Sequence, residues 1–333
     1  MYGETSSVRL CAIRHCKGFD LSALHRSAPP WFERLAFVLV RPSHPGNVGA
    51  VARAMRTMGL RRLVLVDPRE PDVLAHPEAV ARASGAHEVL TQARVAATLD
   101  EALAPFTLAV AVSAEAREFG PQPRPPEPAA AEARAALLAS SQAQVAFVFG
   151  PERTGLSIDD AARCQLMCSI PGEPDYNSLN LAQAAQIVAY CLRSLDRLQP
   201  LAGSAVKPGE GLREGPGEGP GEGLAEAGRP ATIQAVEGFF DHLQAALVRI
   251  GFLDPAHPKR LMPRLRRLFG RARLEDEEVA ILRGVCTQIL KLADGDIHGP
   301  SRSHAATGPA PAEAVPSAGG ARKPGSGVSS ERT

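Results

Sequence analysis

The sequence predicts an α/β protein built on a parallel sheet, followed by a separate helical part near the carboxyl end. Two observations predict this. Apolar runs of strand length at Leu35–Val40, 63–66, Leu108–Val112 and Val145–Phe149 recur between segments of helical periodicity, the pattern of a sheet covered on both faces. Around residue 199 the composition turns abruptly to Gly-Glu-Gly and Gly-Pro-Gly units, and helical periodicity resumes only after residue 231. A chain of 333 residues with 44% hydrophobic content has enough apolar surface for a sizeable core.

The first apolar run leads through a Pro-x-x-Pro-Gly turn into a helical pattern and then into the run 63–66, a βαβ unit. Asn47 is placed to cap this helix and Gly59 to end it in the left-handed conformation. At about 100° per residue, Val51, Ala54, Met55 and Met58 share one arc while Arg53 and Arg56 fall opposite, so Arg53 points away from the sheet. Residues 101–104 end the helix that precedes the strand Leu108–Val112, residues 122–128 read as a proline-rich connection, and Ile170 closes the series of apolar runs. Residues 179–195 carry Leu181, Ala185, Val188 and Leu192 at the spacing of a long amphipathic helix. Residues 199–230 are expected to form a flexible linker, because such a composition buries too little apolar surface to order itself. Helices are expected over 232–252, 258–269 and 275–292. The resulting division is an extension over 1–30, the main domain 31–198, the linker, a helical domain 231–294 and a disordered tail 295–333. The first thirty residues read either as a disordered extension or as the product of an upstream start codon.

Several function classes are disfavoured. The net charge of +1 shows no overall bias toward nucleic acid, although a local basic face is enough to bind one. The six cysteines (Cys11, Cys16, Cys164, Cys168, Cys191 and Cys286) form no C-x-x-C pair and no regular framework, which fits reduced thiols in a cytoplasmic protein. No window approaches the roughly 18 apolar residues needed to span a bilayer. Arg9, Arg14, Lys17, Asp20 and Arg26 interrupt any apolar core for a secretory signal. His44 and the other histidines make no metal-ligand constellation, so no metal is expected.

Three segments carry the chemistry. Phe147-Val-Phe-Gly-Pro-Glu-Arg-Thr-Gly-Leu156 joins an apolar strand to a glycine-bracketed loop holding an acid and a base. Upstream lies His44-Pro-Gly-Asn-Val-Gly-Ala-Val-Ala-Arg53, and downstream Ile170-Pro171 followed by Tyr176-Asn-Ser-Leu-Asn-Leu-Ala182. Gly150, Pro151 and Gly155 suit a loop that closes around a small molecule, an ordinary strand-to-helix turn being the other reading. A P-loop is excluded by the missing Gly-Lys-Ser/Thr ending. Glu152 and Arg153 read as a pair fixing the loop or reaching across a dimer. Near the carboxyl end Arg260, Arg264, Arg267 and Arg271 fall at i, i+4, i+7 and i+11. That makes one stripe if the helix runs through Gly270, able to track a phosphate backbone or to lie solvated beside the acidic run 275–278.

Together the three segments resemble the motifs of the SPOUT superfamily of knotted S-adenosylmethionine-dependent methyltransferases, and within it the TrmH-like RNA ribose 2'-O-methyltransferases. The closer match is to the TrmJ type, through the run Gly46 to Leu60 and the helix start Ser178-Leu-Asn-Leu-Ala182. The resemblance covers residues 35–197 strongly and 231–293 loosely. It implies an α/β knot, a parallel sheet with a trefoil knot at its carboxyl end. It also implies a homodimer and a donor held by three loops: Val112, Ser113 and Ala114; Phe149, Gly150 and Glu152; Ile170, Ser178, Leu179 and Asn180. Arg53 matches the arginine the family treats as catalytic. It would orient the 2'-hydroxyl and stabilise developing alkoxide charge, proton abstraction being the weaker option for a guanidinium. Asn47 would cap its helix, touch substrate or do both, and Ser178 would bond donor or ribose or cap the next helix. Arg53, Arg56, Arg153 and the carboxyl-terminal stripe are the expected RNA contacts. The implied reaction is 2'-O-methylation of cytidine or uridine at position 32 of tRNA. Another tRNA position, ribosomal RNA, or a non-catalytic RNA-binding scaffold stand as rivals. One departure is Val112-Ser113-Ala114-Glu115, where the TrmJ pattern commonly has Thr-Ser-Ala-Arg, which puts that loop's substrate contact in doubt.

Overall fold

The computed structural model describes residues 27–116, 118, 120–195 and 228–294. Most of the expected amino-terminal extension, most of the linker and the tail 295–333 lie outside the described residues.

Among the described residues seven parallel strands form one sheet. In chain order they are β1 (Leu35–Val40), β2 (Arg62–Val66), β3 (Arg94–Ala96), β4 (Leu108–Val112), β5 (Pro123–Arg124), β6 (Val145–Phe149) and β7 (Leu166–Cys168), and in space β3-β2-β1-β6-β4-β7-β5. Every residue of β1, β4 and β6 is buried, so these strands read as unbroken apolar runs. Side-chain alternation divides the core into two faces. Leu35, Phe37 and Leu39 pack beneath helices α1 (Pro45–Met58), α5 (Pro126–Ala139) and α7 (Leu181–Ser194), with Phe37 in ring contact with Phe147 and Phe149. Ala36, Val38 and Val40 face the other layer, which includes α4 (Leu99–Leu103) and α6 (Ile158–Ala162). Two short helices, α2 (Pro77–Ala83) and α3 (His87–Thr91), lie between β2 and β3.

The first helix behaves as its wheel requires. Val51, Ala54 and Met55 are buried, Met58 packs against the core, and Arg53 and Arg56 are exposed. Gly59 ends it at φ 92°, a left-handed value favouring glycine, and Leu60 N–H donates back to Met55 O. Its start differs from expectation. His44 is the cap residue, without a side-chain bond, Pro45 opens the helix, and Asn47 is its third residue. Proline suits that first position, because the N–H it lacks would have no helical partner, and this leaves the Asn47 side chain available elsewhere.

Three further readings are corrected. β7 ends at Cys168, so Ile170 lies in the loop beyond it. The segment 122–128 is more than a connection: Pro123–Arg124 pairs with β7 at the sheet edge, where proline's missing donor is harmless, and Pro126 opens α5. α7 begins at Leu181 with Asn180 as its cap, which frees Ser178 from that duty.

The carboxyl-terminal part holds α8 (Ile233–Arg249), α9 (Leu261–Ala272) and α10 (Asp276–Asp294). Thr232 caps α8, and Phe239, Phe240 and Phe269 form an aromatic cluster beside Val279 and Cys286. Its seam with the sheet domain is direct: Ile233 N–H donates to Phe106 O at 2.8 Å, and the Ile233 side chain is buried in the second core face. Cys164, Cys168, Cys191 and Cys286 are free and buried, and burial pushes the first two thiols up to about 12. Among the described residues no helix is long and apolar enough to cross a membrane.

Candidate active site at the carboxyl ends of the central strands

β6 lies between β1 and β4, although β4 precedes it in the chain, and Val112 stands level with Phe149 on one side and Cys168 on the other. The loops leaving these three strands therefore emerge at one end of the sheet, where parallel α/β proteins bind ligands. They enclose a cleft of about 270 Å³. Val112, Ser113, Ala114, Phe149, Gly150, Glu152, Ile170, Ser178 and Leu179 all line it, so nine of the ten expected donor contacts are gathered in one place. Asn180 is the exception.

Backbone geometry shapes the walls. A side-chain carbon on Gly150 would lie 2.2 Å from Leu156 N and 2.3 Å from Gly155 C, so only glycine permits the loop to fold back on itself there. Gly155 N–H donates to Pro151 O at 2.9 Å, closing the turn. Across the cleft, the Ser113 hydroxyl bonds the backbone of Glu115, and Ser113 N–H donates to Cys168 O.

Glu152 ties the loop to the first helix. One carboxylate oxygen accepts from Ser43 N–H at 3.0 Å and from the Ser43 hydroxyl at 2.6 Å. The other accepts from His44 N–H at 3.3 Å and from Asn47 Nδ2 at 2.9 Å. Burial opposes the charge, but the bonds from Asn47 and Ser43 outweigh it and hold the carboxyl below its ordinary value. Asn47 Oδ1 in turn accepts from Asn180 Nδ2 at 3.0 Å, while Asn180 Oδ1 caps α7 at Ala182 N–H. The three motifs, far apart in sequence, are thus joined by one chain of hydrogen bonds through Glu152, Asn47 and Asn180. This corrects two readings: Glu152 is held by Ser43, His44 and Asn47 rather than by Arg153, and Asn180 serves the helix and Asn47 rather than the cleft wall.

The expected catalytic residues are not all assembled. Ser178 lines the cleft, Asn47 stands behind Glu152, and Arg53 sits six residues, about 9 Å, further along α1 and outside the lining. The Arg53 guanidinium has no hydrogen bond or ion pair among the described residues. Arg56 is ion-paired with Glu88, which weakens it as an RNA contact. Arg153 is exposed at the cleft rim. α9 does run through Gly270, and Arg260, Arg264, Arg267 and Arg271 are all exposed, although Arg260 pairs with Glu118. Sequence reasoning missed Ser43, the main anchor of Glu152; nothing in a Pro-Ser-His-Pro turn announces a partner 109 positions away. It also missed Arg41, whose guanidinium donates to the buried Asp160 at 2.5 Å, beside the Ser157 cap of α6. Among the described residues no group of His, Cys, Asp or Glu is arranged to hold a metal.

The sheet and the loops that enclose this cleft fall within residues 34–190, which the SpoU rRNA Methylase family profile matches. A second profile, tRNA methyltransferase TrmJ, C-terminal domain, matches residues 234–298. The chain belongs to the TrmJ family of tRNA ribose methyltransferases. It is 40% identical over 263 residues to the tRNA (cytidine/uridine/adenosine-2'-O-)-methyltransferase TrmJ of Pseudomonas aeruginosa (strain UCBPP-PA14), covering 79% of this chain and 96% of that protein. To the tRNA (cytidine/uridine-2'-O-)-methyltransferase TrmJ of Yersinia pestis (strain Pestoides F) it is 42% identical over 261 residues, covering 77% and 91%. Among solved structures, TrmJ from Z. mobilis ZM4 matches with a TM-score of 0.61 and 31% identity over 76% of this chain and 98% of that one.

Proposed function

We propose that this protein is an S-adenosylmethionine-dependent tRNA ribose 2'-O-methyltransferase acting on cytidine or uridine at position 32 of the anticodon loop, working as a cytoplasmic homodimer with a trefoil knot around its donor site. The observation that carries the reading is the convergence of nine expected donor contacts on one cleft in a chain of TrmJ ancestry.

The cleft suits the donor in chemistry. Phe149, Ile170, Leu179 and Leu181 give it apolar walls for a nucleoside, loop backbone gives it donors and acceptors, and Glu115 and Glu152 bring negative charge to a site for a cation. When bound, the donor supplies a sulfonium-activated methyl group. The chain's own work is placement: Gly150 lets the loop close, Glu152 and Asn47 fix that loop against α1, and Ser178 offers a hydroxyl at the wall. Alignment of this kind is worth up to roughly 7–11 kcal/mol of a barrier in well-oriented systems. Arg53 orients the ribose hydroxyl with its neighbouring phosphate and stabilises the negative charge that develops on the 2'-oxygen. Its distance from the cleft of its own chain supports a dimer in which the partner's arginine completes the site.

The test is methyl transfer from labelled S-adenosylmethionine to unmodified bulk tRNA and, separately, ribosomal RNA, with the modified nucleotide mapped. Label on the ribose of a pyrimidine at position 32 is the expected result. The SpoU rRNA Methylase match favours a second reading, in which label enters only ribosomal RNA. RNA binding without transfer to either would overturn catalysis altogether.

A further inference from the structure

A second cavity, of about 340 Å³, opens where α9 meets the β5 edge of the sheet domain. Its wall holds five arginines, Arg124, Arg266, Arg267, Arg271 and Arg273, against one carboxylate, Glu132. Glu132 is bound from both sides at once. Arg124 from the sheet edge donates to one oxygen at 2.5 Å, and Arg273 from the end of α9 donates to the other. Arg266 is turned to Glu237 and lies over the Phe240 ring at 4.5 Å, which removes its charge from the account. Arg267 and Arg271 are exposed and make no hydrogen bond or ion pair among the described residues. One shared carboxylate cannot neutralise four guanidinium groups, and each guanidinium paired to it retains further donors. Burial, and then the Arg124 charge, depress Arg273 below its ordinary value, as expected where like charges face each other in a partly desolvated recess.

We propose that this crevice between the sheet domain and α9 is a phosphate clamp for the RNA substrate, with Arg124, Arg267, Arg271 and Arg273 gripping successive phosphates of its backbone. The inference rests on the RNA-substrate reading above and extends it. The basic stripe of α9 is only one wall of the site, and Arg124 on the catalytic domain supplies the other. A recess suits a phosphodiester run because planar guanidinium groups can approach it from two sides and bond it bidentately. Binding there also couples RNA to the docking of α9 against the sheet domain.

The test uses the full chain and unmodified tRNA without donor, with affinity read by fluorescence anisotropy over a series of KCl concentrations. Arg124→Gln, Arg267→Gln and Arg271→Gln should each weaken binding roughly threefold or more at moderate salt and lower the slope of log affinity against log salt by about one. Arg124→Lys should restore most of the slope. The Arg124→Gln and Arg271→Gln losses should combine to less than their product, since both grip one run of phosphates. Arg267→Gln breaks no bond in the structure, so it reads the slope even if Arg124→Gln folds poorly. An unchanged slope in Arg124→Gln and Arg267→Gln would overturn the clamp, as would fully independent losses at 124 and 271. Orthophosphate at matched ionic strength should compete weakly; competition equal to removing the arginines would assign the crevice to a free anion instead. Methyl transfer by the wild type is scored separately. Transfer with unmoved slopes removes the clamp and keeps the function, whereas moved slopes without transfer do the reverse.

Discussion

The cleft at the strand ends and the arginine crevice lie on the same molecule and are built on opposite principles. The cleft is walled by loop backbone and apolar side chains, with the Glu152 carboxylate fixed by four hydrogen bonds from Ser43, His44 and Asn47. The crevice is walled by five arginines, two sharing Glu132, one paired with Glu237 and two exposed with no ion pair among the described residues. A cleft of the first kind tolerates no displaced atom, because alignment is its product. A crevice of the second kind tolerates displacement and responds to charge, because long-range attraction is its product. Mutations should therefore sort by kind: steric changes should be severe in the cleft, and charge changes graded in the crevice.

The largest effect expected lies at Arg53. Arg53→Ala should lower single-turnover methyl transfer by about a hundred- to a thousand-fold while leaving donor affinity unchanged by calorimetry, the loss typical of a transition-state donor. Retained turnover would remove its catalytic role. Gly150→Ala comes next. Its new carbon would meet the backbone of residues 155 and 156, forcing the loop outward. A displacement near 1 Å costs about a hundred-fold in rate, and donor titration should show the loss at the binding step, in contrast to Arg53→Ala. If Gly150→Ala binds donor normally, the cleft is less rigid than its geometry implies.

Ile233→Ala probes the seam between the two regions. The side chain is buried among Leu103 and Phe106, so its loss should cost about 2–5 kcal/mol of docking or global stability. A fall in thermal midpoint, or new proteolysis near residue 233, would show it. For the same reason a truncation after the linker would bare apolar surface on the sheet domain, which makes charge substitutions the cleaner probe of RNA binding.

The smallest effect expected is at Glu152. Its folded-state value lies below the ordinary 4.5, so on acidification the unfolded chain takes up the proton first. The carboxylate's contribution is complete at neutral pH and disappears as pH falls through the lowered folded value. Glu152→Gln should cost about 1 kcal/mol, the group being only partly buried, and should flatten the acid limb of the stability profile. An unchanged acid limb would mean that the bonds to Ser43 and Asn47 do not persist in solution.

How much was visible beforehand follows from the range of the forces involved. The four long strands, the wheel of α1, the Gly59 stop, the helical register of α7 and the three carboxyl-terminal helices were all readable, because each expresses apolar periodicity or a local backbone preference within a few residues. β3 and β5 were not. They are three and two residues long, and only pairing with Val64–Val66 and with β7 makes them strands. The start of α1 was misread because Asn47 suits a cap by residue type, whereas Pro45 fixes the helix start two residues earlier. Nine cleft residues were located through motif resemblance, but their purpose as one wall was not visible in any single segment.

What the sequence by itself determined is the inventory: a buried parallel sheet, a glycine loop, an arginine helix, a compositional break, and a family to which these belong. Only the tertiary structure decided the pairings. It gave Glu152 to Ser43 and Asn47, Asn47 to Asn180, Arg56 to Glu88, and set Arg124 across from Arg273 on a shared carboxylate. The physical reason is that hydrogen bonds and ion pairs act over a few ångströms of space and carry no trace in sequence spacing, whereas strand and helix patterns repeat along the chain itself.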